Sequence, residues 1–126
     1  MRILLDTHIV LWLLAGSKRI KSVENIILNE NNEIYVSTAS WWELAIKINI
    51  KKFDGDLKVI RKASSDSGFI ELPITGEHAE ALLKLPPVHK DPFDRILVAQ
   101  AITEPMKLMT ADNKLESYSD LIWKIK

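Results

Sequence analysis

RILLDTHIVLWLLA, residues 2–15, opens on a short apolar run, meets an aspartate and passes straight into a helical pattern. Residues 2–6 read as a buried strand and residues 7–15 as the helix that follows it. The same alternation recurs down the chain. Ser22 is placed to cap a helix whose Val23, Ile26 and Ile27 share a face. Residues 34–37 (IYVS) form a second strand, followed by a helix over about 38–50. Residues 56–65 are weakly helical and end near Gly68; residues 69–72 make a third strand that Pro73 stops. Thr75 caps a helix carrying Ala79, Leu82 and Leu83, which the Pro86-Pro87 pair terminates. Asp91 then stands as an N-cap, Pro92 at the favoured first helical position and Asp94 at the third. That helix runs to about 103 with Ile96, Val98, Ala99 and Ile102 apolar; residues 106–110 and 121–125 supply a fourth and a fifth strand. Short apolar strands alternating with helices specify an α/β fold, a parallel sheet covered on both faces. In such folds ligands bind outside the carboxyl ends of the strands.

Composition narrows the class. The 126 residues suit one domain, 1–126, with no internal repeat, low-complexity tract or linker. With 47% hydrophobic and 27% charged residues the chain is globular rather than disordered. No cysteine is present, which excludes disulfides and thiolate metal sites and suits the cytoplasm. Asp6 interrupts the apolar start too early for a secretory signal, and the charge-free stretch 7–17 is too short to span a bilayer, so no membrane association is expected. Lys and Arg total 17 against 17 Asp and Glu, so net charge gives no nucleic-acid signal. The basic cluster Lys47, Lys51, Lys52, Lys58, Arg61 and Lys62 reads as a solvated helical face, diluted by Asp54 and Asp56.

The informative residues are acids near strand ends. Asp6 closes the first strand, and Asp112 lies two residues past the fourth. Glu43 sits in the helix after the second strand, and Asp94 in the first turn of the helix before the fourth. A doubly wound sheet brings all four to one edge, where carboxylates stay ionised together only if a cation offsets their repulsion. Oxygen ligands without cysteine or paired histidines point to Mg²⁺ or Mn²⁺, ions that support phosphoryl transfer. Each acid also has a plainer role: Asp6 and Asp112 as caps, Glu43 as an i,i+4 partner of Lys47, and Asp91 as an N-cap. In the helix over 38–50, Trp41, Leu44, Ala45 and Ile48 form one apolar face, and Trp42, Ile46 and Ile50 a second. That pattern predicts a mostly buried helix whose narrow polar wedge, Glu43 and Lys47, aims at a cleft.

The segments LLDTHIVLWLL, VSTASWWELAIKINIKKF, HKDPFDRILVAQA and LMTADNKL resemble, in order and separation, the four motifs of PIN-domain proteins, most nearly the VapC-like branch of bacterial and archaeal toxins. The resemblance runs from residue 1 to about 115. It implies a three-layer α/β/α sandwich around a central parallel sheet of four to five strands. It further implies a Mg²⁺- or Mn²⁺-dependent endoribonuclease with RNA as substrate, the toxin of a toxin–antitoxin pair, held by a cognate antitoxin in a homodimer or hetero-oligomer. By position the family's catalytic and metal-binding acids fall on Asp6, Glu43, Asp94 and Asp112. Asp94 takes the third place ahead of Asp91 because Leu97, Val98, Ala99 and Ala101 follow at the family's offsets. Thr7 and Thr110 match the hydroxyl residues that orient carboxylates or water; Arg95 and Lys47 are the candidates for contact with substrate. Where that branch has Gly-Lys-Leu after the helix of the second motif, this chain has Lys51-Lys52-Phe53, which puts the turn there in question.

The histidines lack mutual metal-ligand spacing, so zinc is not expected: His8 reads as a neighbour of the first motif, His78 as a packing residue and His89 as a hydrogen-bonding residue of its loop. Two other readings stay open, a non-catalytic PIN fold that binds protein and a metal-dependent nuclease acting on DNA. A phosphotransferase using the first-strand aspartate would want a second aspartate where His8 stands. A receiver domain would want an acidic pair and a late lysine that the chain lacks. The apolar excess in Ile9, Val10, Leu11, Trp12, Leu13 and Leu14 offers material for an antitoxin groove.

Overall fold

Strands β1 (Arg2–Leu5), β2 (Glu33–Ser37), β3 (Ile70–Leu72), β4 (Lys107–Thr110) and β5 (Ile122–Lys124) pair in parallel in the order β3-β2-β1-β4-β5. The coordinates are a computed structural model and describe residues 1–125. β1 lies in the middle, with Leu4 facing Tyr35 of β2 on one side and Leu108 of β4 on the other. Ile3, Leu4 and Leu5 have no exposed surface, which is why this strand reads as a continuous apolar run rather than an alternation.

Alternate residues of β1 enter different cores. Ile3 and Leu5 pack with Ile9 and Val10 of α1 (Thr7–Leu14), Ile27 of α2 (Glu24–Ile27) and Trp41 and Leu44 of α3 (Thr38–Asn49). Leu57 and Ile60 of α4 (Leu57–Asp66) cover the same face. Leu4 packs on the opposite face with Ile96, Leu97 and Val98 of α6 (Pro92–Thr103), and with Ala81 of α5 (Gly76–Ala81). The result is the expected three-layer α/β/α sandwich. The strand order runs outward in both directions from the boundary between β1 and β4, so that boundary is the topological switch point where such sheets open a crevice. Among the described residues no helix is long and apolar enough to cross a membrane.

Several expected elements shift for local reasons. β1 stops at Leu5 because Asp6 already has the extended N-cap geometry of α1. Ser22 does not cap a helix: Ser17 caps a 3₁₀ turn over Lys18–Ile20, and α2 begins only at Glu24, with Val23 at its N-cap position. Gly68, at φ 85°, ends α4 and leaves Phe69 as a buried residue ahead of β3. α5 closes at Ala81 into a 3₁₀ turn, which puts Leu83 in solvent at 89% exposure instead of in the core; Ile102 is also 39% exposed. The second apolar face of α3 is likewise not buried, with Trp42, Ile46 and Ile50 all exposed. Only its first face meets the core, and the Trp42 ring instead meets Phe93 nearly at right angles.

The Lys51-Lys52-Phe53 departure leaves a turn standing. The Lys51 N–H donates to Ile48 O and the Lys52 N–H to Lys47 O, at 3.1 and 2.8 Å, which is a Schellman ending to α3. Lys51 takes φ 60° to make it, a left-handed conformation that glycine adopts without the roughly 1 kcal/mol a side chain costs.

Candidate active site

The switch point is stitched by one side chain. The Thr110 hydroxyl, at the end of β4, donates to Asp6 Oδ2 at 2.6 Å and accepts the Asp112 N–H at 3.0 Å. It therefore fixes one carboxylate and the backbone of a second. The Thr7 hydroxyl instead donates to Ser40 Oγ at 2.8 Å, tying the start of α1 to α3 beneath the site.

Above Thr110 opens a cleft of about 340 Å³ lined by Asp6, Glu43, Asp94 and Asp112, together with Asp91, His8, Trp12, Arg19, Lys47 and Ala111. All four sequence-predicted acids thus meet in one cleft. Asp6 and Glu43 are buried, at 4% and 7% exposure, and Glu43 is salt-bridged to Lys47 at 3.1 Å. Asp91 accepts the Phe93 and Asp94 N–H groups, at 2.8 and 3.2 Å, as the N-cap of α6.

His89 completes the cluster. Its Nε2 lies 2.8 Å from Asp94 Oδ2 and 3.6 Å from Asp112 Oδ2, and each of the three residues offers a ligand atom within 4.8 Å of the others. The sequence reads His89 as a hydrogen-bonding residue of its loop, and the acidic cluster is the partner that reading misses. The signal available was its place five residues before Asp94, just outside a helix start, which is close enough to fold back over the first turn. Its loop is pinned by Arg95, whose guanidinium donates to the carbonyls of Pro86, His89 and Leu82 and to the Tyr118 hydroxyl. Tyr118 Oη also accepts the His89 N–H at 2.8 Å. Arg95 accordingly faces the loop and does not line the cleft.

Electrostatically the cleft is overloaded with negative charge. Burial pushes the Asp94 carboxyl from 3.8 up to about 7, Asp6 and Asp91 push the same way, and His89 opposes them. Asp6 is also raised, chiefly by burial and further by Glu43, against the Thr110 hydrogen bond. Carboxyls held so far from their ordinary behaviour single out this cleft as the candidate site. A divalent cation fits this set: carboxylate oxygens dominate it, one imidazole joins them, and their repulsion has no adequate counter-charge among the described residues.

Comparison with known proteins bears on the family and the fold. A family model described as PIN domain matches residues 3–121. The chain is 27% identical over 118 residues to Ribonuclease VapC22 of Mycobacterium tuberculosis, covering 92% of this chain and 91% of that protein. Its fold is similar to two solved structures. One is VapBC2 from Rickettsia felis bound to a DNA fragment from their promoter, with TM-score 0.73, 16% identity and all of both chains covered. The other is a toxin–antitoxin complex from Klebsiella pneumoniae, with TM-score 0.69, 23% identity and 98% and 99% of the two chains covered.

Proposed function

The chain belongs to the PIN-domain family, and on that premise we propose that it is a Mg²⁺- or Mn²⁺-dependent endoribonuclease acting in the cytoplasm as the toxin of a toxin–antitoxin pair. The observation that carries the reading is the convergence of Asp6, Glu43, Asp94 and Asp112 on one cleft at the switch point, with Asp94 pushed to about 7. Asp6 and Asp94 are the principal ligands, Asp112 and Glu43 complete the site, and His89 orients Asp94 from beside it. A divalent cation bound there supplies Lewis acidity toward a phosphodiester and eases deprotonation of water. Thr110 sets the direction of Asp6 and the backbone position of Asp112. His89 Nε2 holds Asp94 Oδ2 in place, while Arg95 and Tyr118 fix the His89 loop. Arg95 is thereby a positioning residue rather than a substrate contact. Lys47 shields Glu43 on the cleft wall.

The antitoxin reading rests on the relatives' descriptions and on an apolar depression between α1 and α4, lined by Leu11, Trp12, Leu14, Ala15, Phe53 and Ile60. An amphipathic antitoxin segment laid there would end beside the acidic cleft, where a guanidinium would pair with the clustered carboxylates. The exposed Trp42 and Ile46 of α3 give a homodimer an apolar face.

The test is expression of the isolated chain beside Asp6→Asn, with mapping of new RNA 5′ ends. New ends that require Asp6 support the reading. Cleavage of DNA alone, or RNA ends that appear equally with Asp6→Asn, would overturn it.

A further inference from the structure

We infer that Arg19, held against the indole of Trp12, grips the backbone of a single-stranded RNA entering the cleft, while Trp12 and His8 form the rim on which a base stacks. This rests on the nuclease reading above and names how its substrate is held. The cleft lining contains five carboxylates, those of Asp6, Glu43, Asp91, Asp94 and Asp112, and two full-time cations, Arg19 and Lys47. Lys47 is committed to Glu43 at 3.1 Å. Arg95 is spent on loop carbonyls outside the lining. Arg19 makes no ion pair among the described residues and is exposed, so it is the cation left to meet a phosphate.

Its position is built rather than incidental. Gly16, at φ 66°, ends α1, and the Ser17 N–H returns to Trp12 O at 2.8 Å, which folds the chain back along the helix it has just left. Ser17 Oγ then accepts the Arg19 N–H at 3.2 Å, and Ile20, 1% exposed, anchors the turn in the core. The Arg19 Cζ comes to rest 4.9 Å from the Trp12 ring centroid. A guanidinium on an indole face is pre-oriented, and its outer plane stays open to phosphate or base. The His8 ring lies 6.0 Å from the Trp12 indole, tilted by 45°, and is exposed at the same mouth. Aromatic and guanidinium planes beside a backbone-gripping cation suit unpaired bases, whose faces are free, and not a stacked duplex. With zero net charge the chain as a whole exerts no net attraction on RNA, so a cation placed at the cleft mouth adds affinity where the strand enters.

The experiment uses the full chain with a short fluorescent single-stranded RNA and its duplex. Cleavage kinetics are measured in Mg²⁺, and anisotropy is measured on the Asp6→Asn background. Arg19→Gln is expected to raise KM roughly tenfold with kcat within about twofold, and to lower the salt slope of binding by about one. Arg19→Lys should recover part of the affinity. Trp12→Leu, which keeps the apolar volume, should weaken binding, while Trp12→Phe, which keeps a ring, should not. Thermal melts of the two Trp12 variants separate misfolding from lost stacking, and Arg19→Gln, on the surface, carries the decision if Trp12→Leu fails to fold. KM and salt slope unchanged in Arg19→Gln, or a duplex bound as tightly as the single strand, would overturn the proposal. If wild type cleaves no RNA, the nuclease reading has failed; the anisotropy arm still decides whether Arg19 holds the strand.

Discussion

Helix α6 has a histidine–carboxylate pair at each end, and the two pairs are built to opposite ends. At its C-terminal cap, Glu104 Oε2 meets His78 Nε2 at 2.6 Å, and the His78 ring is wholly buried. The Thr75 N–H donates to His78 Nδ1 at 2.9 Å, so the ring proton sits on Nε2 and points at Glu104. The His78 N–H in turn donates to Thr75 Oγ1, which makes a reciprocal cap for α5. The imidazole thus has a partner at each nitrogen, Glu104 at one and the Thr75 N–H at the other, while the Thr75 hydroxyl takes the His78 backbone N–H. At the N-terminal end, His89 meets Asp94, but Asp6, Glu43, Asp91 and Asp112 crowd the same space. A paired polar cluster stabilises a fold; a cluster with surplus charge is a candidate ligand site.

The largest expected effect separates the two clusters by activity. Asp94→Asn should lower the rate of RNA cleavage on the order of 10²-fold or more, as loss of one preorganised electrostatic group does. His78→Ala should leave the rate per folded molecule unchanged. Single-turnover cleavage, normalised to folded protein by circular dichroism, reads both. Equal losses from the two substitutions would erase the distinction.

Stability should rank them the other way. His78→Ala removes a fully buried ring and strands the Thr75 N–H, at a cost of about 2–4 kcal/mol in urea unfolding. A cost below about 1 kcal/mol would mean that the α5 cap is not structural.

What the sequence revealed of these two ends follows from the range of each interaction. Asp91, Pro92 and Asp94 were legible because an N-cap is written within three residues, and the structure puts the cap there. Asp6, Glu43 and Asp112 were placed together because strand alternation implies a parallel sheet, and a parallel sheet gathers strand ends. Thr75 was legible as a cap, but His78 as its reciprocal partner was not, since a histidine at the third helical position is no strong signal. His89 and Arg19 depend on how loops fold back. The first needs the Arg95–Tyr118 clamp across 23 residues, and the second needs a left-handed Gly16. Neither contact leaves a periodic trace. The exposed side of α3 was misread for a related reason: apolar residues on two faces do not say which face finds a partner within the chain.

A smaller effect exposes the surplus charge directly. In the metal-free protein the folded Asp94 keeps its proton up to about 7, while the unfolded chain releases it near 3.8. Over that window the unfolded state binds fewer protons, so stability falls as pH rises. Asp6, raised in the same direction, adds to the slope. Asp94→Asn should therefore be more stable than wild type in EDTA at pH 8, on the order of 1 kcal/mol after solvent screening, and the two should converge only below 3.8, where the unfolded chain keeps the proton too. Mg²⁺ should raise the melting temperature of wild type more than that of the variant. Thermal melts from pH 8 downward decide it, and a variant less stable than wild type at pH 8 in EDTA would contradict the charge surplus.

The smallest expected effect falls on the aspartate that stands in both descriptions. Asp91 lines the cleft, yet its carboxylate is already spent on the Phe93 and Asp94 N–H groups of α6. Asparagine caps a helix about as well as aspartate, so Asp91→Asn should change stability by no more than a few tenths of a kcal/mol. Cleavage should persist near the wild-type rate, because the side chain reaches the cleft only as charge. That charge still has a reading. It is one of the groups holding Asp94 high, so removing it should lower the Asp94 pKa from about 7 and narrow the pH window over which the metal-free protein loses stability. Titration of the Asp94 carboxyl by NMR in the two proteins, at matched salt, measures the shift. An Asp91→Asn protein that loses activity while Asp94→Asn keeps it would exchange the two roles, making Asp91 the ligand and Asp94 a first-turn residue of the helix.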